Sequence, residues 1–369
     1  MIYLNNAATS YPKPPSVIAA MTEAMETVPE SSLRSSYTGS ADLLSTLRQR
    51  IGSLLHVCTS DRIYFTSGAT DAINRILGGL GDIDILASSD CHNSVLRPAY
   101  NLPNIRKVDI ISSNSLENIP LTSKRKERTT ILILPHCSNV TGHVYDIRRI
   151  SDVAHERGML VMADVAQSAG CIPIDVDNWG VDIVVFTGHK SLFGPQGTGG
   201  YYIRHGIPLH PTVFGGTGRD SSVVRYDTGD WEYEVGTQNL PGLAGLLAGV
   251  EYVLQQGVEH IWHQEQELTH WLIGQLKTIQ HVKVFCEENN PQGPVISFNI
   301  GGLQPADAGY ILQNTYGIIL RTGLHCAPLI HQELGTAPWG TLRVSLSLHT
   351  TLDELKILTS AVRDISDSL

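Results

Sequence analysis

Between about residues 60 and 205 the chain alternates short apolar runs with polar or glycine-rich turns and helical stretches, and this alternation narrows the possible folds most. The runs are Arg62-Ile63-Tyr64-Phe65-Thr66, Ile83-Asp84-Ile85-Leu86, Ile131-Leu132-Ile133-Leu134, Met159-Leu160-Val161-Met162-Ala163 and Ile183-Val184-Val185-Phe186. β-rich runs separated by helices predict an α/β fold with a parallel or mostly parallel sheet covered on both faces. Beyond it, Leu243, Leu246, Leu247, Val250 and Leu254 recur at helical spacing, so residues 242–280 read as helix. Strands are expected at 295–299 and 342–346, with a last helix from Thr351. Elements here are fewer and shorter, which predicts a smaller α+β domain. Residues 215–230, rich in Gly, Ser and Asp, read as a mobile loop. A length of 369 residues suits two domains.

Composition removes several classes of function. Hydrophobic residues make up 42% and charged residues 17%, the profile of a soluble globular chain with a large core. A net charge of -10 without a basic run argues against nucleic-acid and membrane-surface binding. The opening MIYLNNAATSYPKPP has no basic region followed by an apolar stretch, so a signal peptide is not expected. No apolar run is long enough for a bilayer span. The six cysteines, Cys58, Cys91, Cys137, Cys171, Cys286 and Cys326, form no C-x-x-C pair. A cytoplasmic protein with reduced thiols is the expectation.

In open α/β sheets, ligands bind beyond the carboxyl ends of the strands. Here each apolar run ends in polar, reactive residues. The first ends at Ser67-Gly68-Ala69-Thr70, which opens a helix. A small-residue turn at a helix N-terminus suits phosphate, although an ordinary capped helix has the same look. The second ends at Asp90-Cys91-His92-Asn93 and the third at Pro135-His136-Cys137-Ser138-Asn139. The fourth ends at Asp164, followed by Gln167, and the fifth at Thr187-Gly188-His189-Lys190. Singly, Asp164 could cap a helix, His92 could be a core histidine and Lys190 could be solvated. Together they supply what pyridoxal 5′-phosphate (PLP) needs: a lysine for a Schiff base, an acid for the pyridinium nitrogen, a ring to stack and a phosphate turn.

The segments FTSGATDAIN, DVAQSAG and FTGHKSLFGPQGTGG resemble motifs of the class V aminotransferase family of fold-type I PLP enzymes. RTGLHCAP resembles the active-site segment of the second, selenocysteine-lyase-like group of cysteine desulfurases. The likeness runs from YLNNAAT to LRVSL. It implies a mostly parallel seven-stranded sheet in a large PLP-binding domain, residues 15–250, and a small α+β domain built from 1–14 and 251–369. It implies that Lys190 holds the cofactor, Asp164 pairs with the pyridinium nitrogen and His92 stacks on the ring. Gln167 and Asn139 would contact the phenolic oxygen or the substrate side of the ring. Ala69, Thr70, Thr187 and His189 would bind phosphate. Thr237 matches a position that reaches the partner subunit's phosphate, which implies a homodimer. Arg343 would grip the substrate carboxylate, where a bidentate fork favours Arg over Lys; Asn6 and Arg321 are further substrate-side candidates. Three positions depart from the pattern: Cys91, Gln238 and Tyr37, of which Cys91 and Tyr37 are candidates to face the pocket.

The resemblance assigns Cys326 as the nucleophile that takes sulfur from L-cysteine, leaving L-alanine and a persulfide. A reactive thiolate needs electropositive surroundings, for which His325 and Arg321 are the candidates. A buried, inert cysteine is the plain alternative. A metal site from His325, Cys326 and His331 fits no standard zinc spacing, so none is expected. Other reactions on the same scaffold are a selenocysteine lyase, a cysteine or cystine β-lyase and a class V aminotransferase. A non-catalytic sulfur-relay scaffold is opposed by the presence of both Lys190 and Asp164. A sulfur-acceptor protein is the expected macromolecular partner.

Overall fold

The computed structural model describes residues 1–27, 39–119, 128–216, 222, 224–225, 233–286 and 291–369. Tyr37 and most of the 215–230 segment lie outside the described residues. The chain opens with a short strand β1 (Ile2–Tyr3) and two helices, α1 (Pro15–Glu26) and α2 (Gly39–Leu55). Then follow β2 (Ile63–Thr66), α3 (Ala69–Gly79), β3 (Ile83–Ser88), α4 (Asn93–Asn101) and β4 (Ile105–Ile111). Next come β5 (Thr129–Pro135), α5 (Ile147–Glu156), β6 (Met159–Asp164), α6 (Val176–Trp179), β7 (Ile183–Thr187) and β8 (Gly199–Ile203). Their seven strands form one sheet in the order β2-β8-β7-β6-β5-β3-β4. Only β8 runs against the others, pairing antiparallel with both β2 and β7.

The apolar runs fill both faces, as a covered parallel sheet requires. On β5, Leu132 and Leu134 enter one core cluster while Ile131 and Ile133 enter the other. The same division separates Val184 and Phe186 from Ile183 and Val185 on β7. Each of the five apolar runs is a strand of this sheet. The remaining strands, β4 and β8, carry weaker signals. β4 is an edge strand with exposed Arg106 and Lys107, and β8 starts with Gly199-Gly200. The glycines are needed for close approach: a Cβ on Gly199 would lie 2.7 Å from the Gly68 Cα.

The helix expected over 242–280 is two helices, α7 (Leu240–Gln256) and α8 (Val258–Lys277). Gly257 separates them with φ 83°, a conformation other residues adopt at a cost, so the periodic pattern continues across a break. Residue 250 therefore lies inside α7. Beyond come β9 (Val282–Val284), β10 (Val295–Ile300), α9 (Pro305–Tyr316), β11 (Ile318–Ile319), β12 (Arg321–Gly323), α10 (Pro328–Glu333), β13 (Thr341–Ser345) and α11 (Leu352–Asp367). A four-stranded antiparallel sheet runs β12-β13-β10-β9. Its core joins Leu272 and Leu276 of α8, Phe298, Leu342, Val344, Leu355 and Leu358, with Leu4 from the start of the chain. The helices are not shorter here: α8 has 20 residues and α11 has 16. α11 starts where expected, because Thr351 and Glu354 form a reciprocal capping box. β1 pairs with β11, which carries the first residues onto the C-terminal part of the chain.

Candidate active site

The parallel strands β2, β3, β5, β6 and β7 end along one edge of the large sheet, and a cavity of about 430 Å³ opens there. Ala69, Thr70, His92, Asn139, Asp164, Gln167, Thr187, His189 and Lys190 all line it, as do Arg321 and Arg343 from the second sheet. Eleven residues expected at a site from sequence thus meet in one place.

α3 begins at the cavity with Gly68 as N-cap, φ 148°, and no side chain caps its first amides. Such uncapped N–H groups carry the positive end of the helix dipole and suit an anion. A Cβ on Gly68 would lie at an ordinary contact distance of 3.7 Å from Thr187 Oγ1, so it is the backbone angle and not the space that favours glycine here. His189 also lines the cavity, and its Nδ1 is buried without a hydrogen-bond partner. Burial, with Lys190 and Lys13 beside it, lowers the His189 pKa to about 4. The main chain of 189–190 is held from the N-terminal segment. The His189 carbonyl accepts from Thr9 Oγ1 at 3.0 Å and from Lys13 Nζ at 2.9 Å, and the Lys190 carbonyl accepts from Ser10 Oγ at 2.8 Å.

Burial lowers the Lys190 pKa to about 8, with Asp164 opposing and Arg343 and Arg321 adding to the fall. A neutral amine is therefore accessible near neutral pH, which nucleophilic lysine chemistry requires. Asp164, at the end of β6, shifts the other way: burial raises its pKa, against a hydrogen bond from Ala166 N (2.9 Å) and the Lys190 charge. His92 is the N-cap of α4, and its Nδ1 accepts from Ser94 N at 3.0 Å. Its pKa falls to about 4, chiefly through burial and then through Lys190, Arg321 and Arg343. The imidazole is neutral at pH 7, and the backbone donor assigns its proton to Nε2. Gln167 Nε2 donates to Ala7 O at 3.1 Å.

The opposite wall is cationic. Arg343 on β13 is 1% exposed, yet no acidic side chain pairs with it among the described residues. Its Nη1 donates to Asn139 O (3.0 Å), Nη2 donates to Asn5 Oδ1 (3.3 Å) and Nε is unpartnered. Burial and the neighbouring Arg321 lower its pKa to about 9. A buried guanidinium without an acid is costly, and a ligand carboxylate would offset that cost. Arg321 Nη2 lies 3.3 Å from Cys326 Sγ. Cys326 is partly exposed and does not itself line the cavity.

Several expectations need correcting. His325 adds no positive charge: it is 2% exposed, and burial followed by Arg343 holds its pKa well below the usual histidine range. Arg321 is the cation in direct contact with the Cys326 thiol, and Lys190 and Arg343 also lie close enough to act on it electrostatically. Asn6 is outside the cavity lining, with Nδ2 donating to Ser345 O (3.1 Å) and Oδ1 accepting from Tyr11 N (3.2 Å); Asn5 makes the contact to Arg343. Cys91 points away into the core, 1% exposed, with Sγ 3.3 Å from Ile133 O. Thr237, expected at the partner's phosphate rather than its own, lines with Gln238 a neighbouring cavity of about 190 Å³ that shares Ser67, Asp71 and Gly197 with this one. Among the described residues no group of three or more His, Cys, Asp or Glu is placed to hold a metal ion.

Sequence reading also missed Asp90, Ser94 and Gln196, which line the cavity. Asp90 stands two residues before His92 at the end of its apolar run, but nothing local shows that it is buried against Ser88 Oγ (2.6 Å) and Tyr145 OH (2.8 Å).

The family model for class-V aminotransferases matches residues 2–358. A probable cysteine desulfurase of Methanothermobacter thermautotrophicus is 30% identical over 381 aligned positions, covering 99% of this chain and 94% of the relative. A cysteine desulfurase of Escherichia coli O157:H7 is 29% identical, covering 99% and 93%. Among solved structures, the apo cysteine desulfurase of Thermococcus onnurineus superposes with a TM-score of 0.86 at 26% identity, over 100% of this chain and 95% of that one. The cysteine desulfurase CsdA of Escherichia coli gives 0.82 at 27% identity with the same coverage. A family match spanning nearly the whole chain, together with the cavity at the strand ends, identifies the chain as a member of the class-V aminotransferase family.

Proposed function

We propose that this protein is a PLP-dependent cysteine desulfurase that converts L-cysteine to L-alanine and retains the sulfur as a persulfide on Cys326. The observation that carries the reading is the Arg321 guanidinium 3.3 Å from the Cys326 thiol, beside the acid-free, buried Arg343. The residues at the cavity fit the cofactor. The uncapped start of α3 and the unpartnered His189 Nδ1 suit its phosphate, Asp164 suits its ring nitrogen, and the Lys190 amine would hold its aldehyde carbon. When bound, PLP supplies an electron sink for the pair left at the substrate α-carbon.

The protein's own groups carry the rest. Arg343 binds the substrate carboxylate and thereby orients the side chain toward Cys326. Lys190 Nζ, once the substrate amine has released it, takes the α-proton. The Cys326 thiolate, stabilised by Arg321, attacks the substrate sulfur; an S–S bond forms and the substrate C–S bond breaks, with its electron pair going to carbon. A proton delivered to that carbon and the return of the α-proton from Lys190 complete alanine, so thiol plus cysteine gives persulfide plus alanine. His92, neutral with its proton on Nε2, is suited to give or take a proton on the substrate side.

The same reading takes residues 15–250 as the cofactor-binding domain and 1–14 with 251–369 as the small domain, with Gly257 as the nearest break in the chain. It takes the active form as a homodimer in which Thr237 completes the partner's site, and the setting as the cytoplasm. An acceptor protein, an iron–sulfur assembly scaffold among the candidates, would remove the sulfur. No described helix is long and apolar enough to cross a membrane.

The test is incubation of PLP-loaded protein with L-cysteine and a reductant, with alanine, pyruvate and sulfide assayed together. Alanine and sulfide in equal amounts, lost in Cys326→Ala, are expected. Pyruvate with sulfide would make the protein a β-lyase, and a keto acid would make it an aminotransferase; either result overturns the reading. Lys190→Ala should lose the absorbance band of covalently held cofactor.

A further inference from the structure

The Cys326 loop has a backbone that L-residues rarely adopt. His325 and Cys326 are consecutive left-handed residues, φ 48° and 61°. Such geometry persists only where the surroundings over-determine it. Two hydrogen bonds from the large-sheet side supply that constraint. Asn93 N donates to Cys326 O at 2.7 Å, and Asn139 Nδ2 donates to His325 O at 2.6 Å.

Asn139 is also the residue whose main-chain carbonyl accepts from Arg343 Nη1 at 3.0 Å. It is 7% exposed, and its segment is fixed in turn by His136 N to Asp164 O (2.9 Å) and Tyr145 N to His136 O (3.0 Å). One residue therefore touches the nucleophile loop with its side chain and the buried guanidinium with its main chain.

We infer that Asn139 is a positioning residue whose side-chain amide ties the Cys326 loop to the Arg343 anchor. The carboxylate end and the sulfur end of a bound amino acid are thereby held in one register. The family resemblance implied instead a contact with the phenolic oxygen or the substrate side of the ring. The kinetic part rests on the desulfurase reading; the geometric part does not.

Asn139→Leu keeps nearly the same shape but removes the donor, and Asn139→Ala removes the volume as well. Both keep the main-chain carbonyl that holds Arg343. The measurements are site-resolved iodoacetamide alkylation of Cys326 in the holoprotein, with exposed Cys58 as internal reference, and kcat and KM for L-cysteine. In both variants the Cys326-to-Cys58 alkylation ratio should change by about fivefold or more, while kcat falls about tenfold and KM moves by less than about twofold. An alkylation ratio within about twofold of wild type in Asn139→Leu overturns the tie, since surface-type effects are no larger. A KM increase that exceeds the fall in kcat overturns it too, because Asn139 would then serve substrate binding. If the wild-type protein makes no alanine from cysteine, the desulfurase reading falls, and the alkylation ratio still decides the tie.

Discussion

Burial shifts three ionisable groups in the cavity, and its opposite sign on acid and base gives each residue a different task. Burial brings Lys190 down to about 8 and Arg343 down to about 9, while it pushes Asp164 up. Lys190 can therefore lose its proton near neutrality, while Arg343 keeps its charge for a carboxylate. Arg343→Ala should raise KM for L-cysteine about 10- to 100-fold, the value of a charge-assisted bidentate pair, as read from initial rates. Cys326→Ala should retain the cofactor band while the alanine rate falls about 100-fold or more, because only the nucleophile is removed. Wild-type-like turnover in that variant would reduce Cys326 to a bystander. These residues were legible in the sequence because each ends a strand or stands in a short motif. Asn5 was not, since nothing local separates it from Asn6; the pairing of Asn5 with Ser345 decides which of the two side chains reaches Arg343.

Element packing brings a titratable group into the core behind the site. Glu265 on α8 is 2% exposed, and burial pushes its pKa up to about 8, with a hydrogen bond involving Cys171 partly opposing. Its Oε2 and the Thr269 Oγ1 one turn later have no partner. An ordinary glutamate titrates near 4.5, so between there and about 8 the folded chain keeps a proton that the unfolded chain has lost. The neutral carboxyl's contribution is complete below the lower value and is lost as pH rises through the upper one. Glu265→Gln should remove that loss, stabilising the protein at pH 8 relative to pH 5 by about 2–5 kcal/mol in denaturant titrations. An identical pH dependence in wild type and variant would show that Glu265 ionises normally. The helix pattern over 242–280 indicated an amphipathic stretch, but side-chain periodicity carries no information on the left-handed turn at Gly257. That break sets the direction of α8, and so the burial of Glu265 beside Cys171.

At the scale of the molecule, the site joins two sheets and a chain end. Phosphate-type contacts come from the large sheet, Arg321 and Arg343 from the antiparallel sheet, and the clamp on 189–190 from residues 9–13. The separate cavity at Thr237 adjoins the first through Ser67, Asp71 and Gly197. On the proposed homodimer, sedimentation should give twice the chain mass, and Thr237→Val should speed cofactor release several-fold in the dimer; a monomer with full PLP retention would exclude completion in trans. Five of the seven strands were legible, because their apolar runs are short, β-rich and bounded by polar or glycine-rich turns. The edge strand β4, half-exposed and charged, and the glycine-led β8 carried too little apolar signal to be read.

The sequence alone determined what is local: strands from apolar runs, a phosphate-type turn from Ser67-Gly68-Ala69-Thr70, and the nearness of Arg321 to Cys326 from a spacing of five residues. Only the tertiary structure decided the charge states. The solvent exposure of His325, Arg343 and Glu265 depends on segments far away in sequence, and burial is the largest cause of each shift. It also decided the double duty of Asn139, whose two partners lie 186 and 204 residues away. Contacts at such separation follow from how the two sheets pack, and no local pattern encodes them.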